Sequence, residues 1–294
     1  MRRTLLLVSA GLAIAGCRVA ESGNEAGNVE VNVADGNLLA TPAAGSTSLT
    51  RLDCGTGDFP DMNGFFSDRP GVYPPGPGKV VDSCYLIQHD GKQMIWDTGF
   101  PAKLKGGSQD MGGFTAHLPV TLAEQLAQLN LKPADIDVVG ISHMHGDHTG
   151  QAAEFPQARL LIGKGDFEQT AGKDDPFGPW RAGKGGELTL AVSGETDVFG
   201  DGSVVAIHLP GHTPDHMALL VKLKSGPVLL SGDLYHSTIA REKKAMPGFN
   251  TSKEQTLKSI DRFEKIAADT KAKVVIQHEP GDVGKLPAFP AAAE

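Results

Sequence analysis

The sequence predicts an α+β domain in which strands gather into packed sheets and helices lie outside them. Three observations carry that class. Short apolar runs recur between polar or Gly-rich turns, as strands do. Only two segments have the 3.6-residue periodicity of a long amphipathic helix, fewer than a doubly wound sheet needs. Histidines and aspartates stand where several of the apolar runs end, so one rim of the sheets collects polar side chains.

Composition fits such a domain. The chain has 294 residues, 40% hydrophobic and 21% charged, enough to bury a sizeable core and too apolar for a disordered chain. A net charge of −8 with no Lys/Arg cluster argues against nucleic acid as a partner. Three cysteines are too few for a disulfide framework or a Cys-rich zinc module.

Residues 1–16 read as a signal peptide. Arg2 and Arg3 precede an apolar run from Leu5 to Ala15, shorter than the ~18–20 residues of a membrane span. Ile14-Ala15-Gly16-Cys17 resembles the bacterial lipobox, which would make Cys17 a lipidated first residue and the only route to a membrane. Plain cleavage after Ala15 is the competing reading. Arg18 leaves no Asp of the kind that retains lipoproteins at the inner membrane, so an exported protein, periplasmic, secreted or anchored at the outer membrane, is expected. Residues 17–48, rich in Ala, Gly, Asn and Ser, read as a flexible tether. Val29, Val31 and Val33 alternate there as a strand would, a weak signal. The folded domain is expected over 49–294. Cys54 and Cys84 fall inside it, either paired or as buried thiols.

Within the domain, strands are expected at Val80–Gln88, Met94–Asp97, Ile136–Ile141, Arg159–Ile162, Val204–Leu209, Met217–Leu223, Val228–Leu230 and Val274–Ile276. The first helix opens on the capping box Thr121/Glu124, carries Leu122, Leu126 and Leu129 on one face, and ends before Lys132-Pro133. The second runs from Lys253 to about Ala268, capped by Thr251 or Ser252, with Leu257, Ile260, Phe263, Ile266 and Ala267 on its apolar face.

The chemistry is concentrated in His143-x-His145-x-Asp147-His148, which follows a strand. His143 and His145, two apart, project to the same side, and the turn at Gly146 folds Asp147 and His148 back beside them. Three imidazoles and a carboxylate suit zinc and its neighbours. A loop of solvated histidines is the bland alternative. His212, Asp233 and His278 each follow another strand, and several such strand ends together make a site.

This ordered series resembles the metallo-β-lactamase superfamily, whose fold is an αββα sandwich with a dinuclear centre between its sheets. The resemblance implies two divalent ions, zinc by default. His143, His145 and His212 would hold one, Asp147, His148 and His278 the other, and Asp233 would bridge them. In Trp96-Asp97-Thr98-Gly99, Asp97 would orient a ligand histidine. His216 falls at a position that is usually structural. Class B3 β-lactamases share the His-rich motif but lack the bridging Asp.

Together with Cys84-Tyr-Leu-Ile, Ile95–Pro101 and Gly211–His216, the ligand series is most similar to the N-acyl homoserine lactonases, the quorum-quenching branch. That implies a metal-dependent hydrolase, in which a metal-bridging hydroxide opens the lactone ring and Asp147 passes a proton to the leaving alkoxide. The branch often places a Tyr three residues after the bridging Asp. Here that position is His236 and Tyr235 precedes it, so either side chain is a candidate for touching the substrate carbonyl. The acyl chain is expected to lie against Phe59–Tyr73, Asp110–Phe114 and Asp175–Trp180, loops that would otherwise pack as loop cores or form a homodimer contact. Two rivals stand beside the lactonase: a same-fold organophosphate or aryl-ester hydrolase, resembled by Gly232–His236, and a non-catalytic metal-binding lipoprotein.

Overall fold

The computed structural model describes residues 29–33, 38, 46–172 and 174–294. The leader, Cys17 and most of the expected tether lie outside the described residues. In chain order the strands are β1 (Val29–Val33), β2 (Thr47–Phe59), β3 (Gly78–His89), β4 (Lys92–Trp96), β5 (Gly107–Asp110), β6 (Thr115–Leu118), β7 (Val138–Gly140), β8 (Arg159–Gly163), β9 (Leu188–Asp197), β10 (Val204–His208), β11 (Met217–Leu223), β12 (Gly226–Leu230) and β13 (Lys273–Val275). The helices are α1 (Met62–Phe66), α2 (Leu122–Gln128), α3 (Gly146–Thr149), α4 (Lys164–Gln169), α5 (Gly178–Arg181), α6 (Thr238–Lys243) and α7 (Lys253–Thr270).

One bent strand makes two sheets. The first residues of β9 pair in parallel with β8, whereas Glu195–Asp197 pair antiparallel with β10. Between them Gly194 takes φ +69, a turn that a side chain would resist. The ladder β5-β6-β2-β3-β4-β7-β8-β9 therefore folds over onto β9-β10-β11-β12-β13.

Strand alternation then sets three apolar layers. Tyr85, Ile87, Trp96 and Val138 face Val204, Ala206, Leu219 and Val221 between the sheets. On the outer face of the first sheet, Leu86, Ile95 and Leu160 lie under Leu122 and Leu126 of α2. On the outer face of the second, Val205, Ile207, Leu220 and Leu229 lie under Ile260, Phe263 and Ile266 of α7. This is the αββα order. The capping box of α2 is formed, and α7 is capped by Ser252, whose hydroxyl accepts from the Gln255 N–H.

Two elements differ from expectation, and one open alternative closes. The long strand β2 has a bulge at Cys54: Asp53 pairs with Ser83 and Gly55 with Asp82. The extra residue shifts the alternation by one and hides the strand from a period-two reading. Cys54 and Cys84 form a disulfide, Cα–Cα 5.7 Å, which resolves the alternatives left by the sequence. Finally, the expected tether is not free throughout, because Val29–Val33 pairs in parallel with Thr189–Gly194, ahead of the stretch of β9 that pairs with β10.

Candidate metal centre

Strands β4 and β7 run parallel in the first sheet, and β12 and β13 run parallel in the second. Their C-terminal ends deliver Asp97, the His143–His148 turn, Asp233 and His278 to one rim, and the loop after β10 adds His212 and His216. The described residues gather there into two adjacent sets: His143, His145, His212 and Asp233 in one, Asp147, His148 and His278 in the other.

Within the first set, His145 Nδ1 lies 2.9 Å from His143 Nε2 and 3.1 Å from His212 Nε2. Asp233 stands between the sets. Its Oδ2 is 3.6 Å from His143 Nε2 and 3.5 Å from His212 Nε2, while its Oδ1 is 3.2 Å from His148 Nε2 and 3.0 Å from His278 Nε2. Oδ1 nevertheless makes no well-formed hydrogen bond. A buried carboxylate oxygen aimed at imidazole nitrogens without bonding them is what a shared cation would complete. Asp147 Oδ2 is 3.8 Å from His278 Nε2. The residues fit a pair of divalent cations.

The far nitrogens of the rings are held by the fold. His143 Nδ1 meets Ser142 Oγ at 3.0 Å, His148 Nδ1 meets Asp97 Oδ2 at 3.0 Å, and His212 Nδ1 meets Asn250 Oδ1 at 2.9 Å. His278 Nδ1 donates to the Val81 carbonyl at 2.8 Å. Such partners fix the tautomer that leaves Nε2 free for a cation. His216, as expected, is structural: its Nδ1 donates to Leu209 O, and its Nε2 accepts from the Asp233 N–H at 3.0 Å. Only a glycine fits next to it, since a Cβ on Gly232 (φ +51) would come within 2.6 Å of His216 Nε2.

Burial pushes His143, His145 and His212 below the usual imidazole range, and His216 to about 4, so these rings are neutral. That is the form a cation binds. For His148 and His278 burial works against the charge, but the surrounding carboxylates together outweigh it, Asp233 with Asp97 and Asp147 at His148 and Asp233 with Asp147 at His278, and lift both, His278 to about 9. Burial also opposes ionisation of Asp233, yet His278, His148 and His236 around it hold its carboxyl well below the carboxylate range. Without cations the rings and carboxylate neutralise one another.

Above the ligands opens a cavity of about 400 Å³ walled by Phe59, Phe65, Phe66, Phe114 and Phe249. Met111 and Phe249 at its mouth are 42% and 49% exposed. The loops expected at Phe59–Tyr73 and Asp110–Phe114 do line it. The expected Asp175–Trp180 loop does not, because Phe177 and Trp180 are buried in the layer under α2.

A second correction concerns Tyr235. It is 1% exposed, packs on Phe263 and donates its hydroxyl to Glu264 Oε1 at 2.8 Å, facing α7 and not the cavity. The turn Gly232–Leu234 presents the next residue instead. His236 Nε2 lies 3.0 Å from Asp233 Oδ2, with its ring stacked near-parallel to His278 and packed on Phe66. Sequence reasoning missed Ser142, which supports the ring next to it in the chain, and it missed Asn250 and Asp166, whose carboxyl accepts from the Met144 N–H, because their contacts are tertiary and leave no periodic trace.

The profile of the metallo-beta-lactamase superfamily matches residues 77–278. An N-acyl homoserine lactonase AttM of Azorhizobium caulinodans is 34% identical over 170 residues, spanning 53% of this chain and 63% of that protein. The AttM lactonase of Rhizobium radiobacter is 31% identical over 217 residues, spanning 67% of this chain and 81% of the relative. Among solved structures, a quorum-quenching N-acyl homoserine lactone hydrolase superposes with a TM-score of 0.71 at 19% identity, covering 86% of this chain and all of the other.

Proposed function

The chain belongs to the metallo-beta-lactamase superfamily, and from that membership we propose that it hydrolyses the lactone ring of N-acyl homoserine lactones at a dinuclear centre. One observation carries the reading: the two oxygens of Asp233 address two separate ligand sets on the floor of a phenylalanine-walled cavity. The lactonase names of the relatives support the same substrate class.

His143, His145 and His212 would hold one cation, Asp147, His148 and His278 the other, and Asp233 would join them. The nitrogen-rich donor set favours zinc. Divalent cations bound there would acidify a water and counter the negative charge that develops on the attacked carbonyl oxygen. The rest falls to the chain. Phe65, Phe66 and Phe114 take the acyl tail and exclude water. His236, which lines the cavity, would hydrogen-bond the ring carbonyl. A water would add through its oxygen to the ring carbonyl carbon and give a proton to Asp147, which lines the cavity and would pass that proton to the ring oxygen as the carbonyl C–O bond breaks. The products are a carboxylate and a free hydroxyl on one acyclic molecule. The Cys54–Cys84 disulfide supports an exported location.

The test is ring opening of short- and long-chain N-acyl homoserine lactones by cation-loaded protein, followed by acidification. Acid should regenerate the lactone, and Asp233→Ala should abolish opening. Bound cations without opening would sink the lactone reading, and turnover of a phosphotriester in its place would favour the organophosphate alternative.

A further inference from the structure

Six polar side chains line the cavity, and five of them belong to the centre: His145, Asp147, Asp233 and His278 as candidate ligands, and His236 in contact with Asp233. The sixth is Asp82. It is 1% exposed, and neither carboxyl oxygen has a hydrogen-bond partner. Buried polar groups are almost always paired, so a carboxyl left open on a cavity wall marks a contact that the fold alone does not complete.

Its place on β3 says what that contact is. Three successive residues serve three neighbours. Val80 packs with Phe59 and Phe66 in the aromatic wall, the Val81 carbonyl holds His278 Nδ1, and Asp82 faces the cavity opposite Gly55 at the β2 bulge. The carboxyl therefore sits beside both the ligands and the aromatic wall. In an N-acyl homoserine lactone the amide nitrogen is bonded to the carbon next to the ring carbonyl, so the amide must lie where reacting ring gives way to tail. The remaining lining is apolar. Resting on the lactone reading above, we propose that Asp82 binds the amide of the acyl arm and selects N-acylated lactones over lactones with a plain alkyl arm. A carboxylate accepts from the amide N–H and a carboxylic acid donates to its C=O, so the pairing holds in either protonation state.

The experiment compares kcat/KM of the zinc-loaded full chain for N-hexanoyl homoserine lactone and for α-hexyl-γ-butyrolactone, which keeps the ring and a six-carbon tail but has no amide. Asp82→Val is expected to lower the ratio of the first to the second at least fivefold. A smaller change overturns the proposal. Asp82→Ala is read by the same criterion should the valine variant fail to fold. Failure of the wild-type protein to open the amide-bearing lactone is a different result: it removes the lactone reading, and this inference with it.

Discussion

Asp97 Oδ2 lies 3.0 Å from His148 Nδ1, and both side chains are fully buried. The same carboxylate accepts from the Ser142 N–H at 2.7 Å and from Gln277 Nε2 at 2.8 Å. Asp97 itself takes φ +58, a conformation held by the surrounding contacts. It thus fixes the His148 ring and ties β4 to the His143–His148 turn.

Asp97→Ala leaves His148 Nδ1 and the Ser142 amide without this partner. The expected outcome is a 10- to 100-fold weaker affinity at the set containing His148, with the His143/His145/His212 set affected less. Competition against a chromophoric chelator, resolved into two macroscopic constants, checks this. Equal weakening of both sites would contradict it.

A second carboxyl joins two ligand loops from behind. Asp166 accepts from Met144 N at 3.0 Å and Thr213 Oγ1 at 2.6 Å, and from Asp215 N at 3.0 Å. Burial, opposed by these bonds, raises it from 3.8 to about 6. The folded state therefore binds the proton more tightly than the unfolded chain. Its contribution to stability is full below about pH 4 and is lost as pH rises through about 6, on the order of 3 kcal/mol. Urea unfolding of cation-free wild type and Asp166→Asn at pH 4 and 7.5 tests the sign. The wild type should lose ground to the variant at the higher pH, and a constant difference would refute the assignment.

The roles of neighbouring Tyr235 and His236 separate cleanly. Tyr235→Phe removes a hydrogen bond to Glu264, which keeps its two bonds from Arg241. It should cost about 1 kcal/mol of stability and leave kcat/KM within about threefold. His236→Ala, beside Asp233, should lower kcat about a hundredfold at unchanged cation content. The reverse pattern in paired melting and rate measurements would restore the tyrosine.

That pair shows where sequence stops being informative. His143, His145, Asp147 and His148 are legible because six residues after a strand hold four donors, and His212, Asp233 and His278 because each follows an apolar run. Which of Tyr235 and His236 enters the cavity depends on the backbone of the Gly232–Leu234 turn, which no spacing encodes. Asn250 reaches His212 from 38 residues away, and Asp82 reads as one polar residue in an apolar strand. The sandwich is legible through α2, α7 and the continuous apolar strands. Strands β2 and β9 are not, since a bulge and a bend break the alternation a sequence reading relies on.

The Cys54–Cys84 disulfide closes a loop of sequence separation 30 and clamps the bulge of β2 to β3. The turn that carries Asp97 rests on it: a Cβ on Gly99 would lie 2.5 Å from Cys54 Cβ. Cross-linking a loop of this size restricts the unfolded chain by about 2–4 kcal/mol. Converting both cysteines to serine should therefore lower the melting temperature by roughly 5–15 °C. Reductant should move the wild type toward the double variant and leave the variant where it is. Because the turn packs against Cys54, the cation set containing His148 should weaken first as the reduced protein is warmed, before global unfolding. Cation release followed alongside tryptophan fluorescence distinguishes the two events, and simultaneous loss would show that the disulfide stabilises the domain as a whole without particular support for the Asp97 turn.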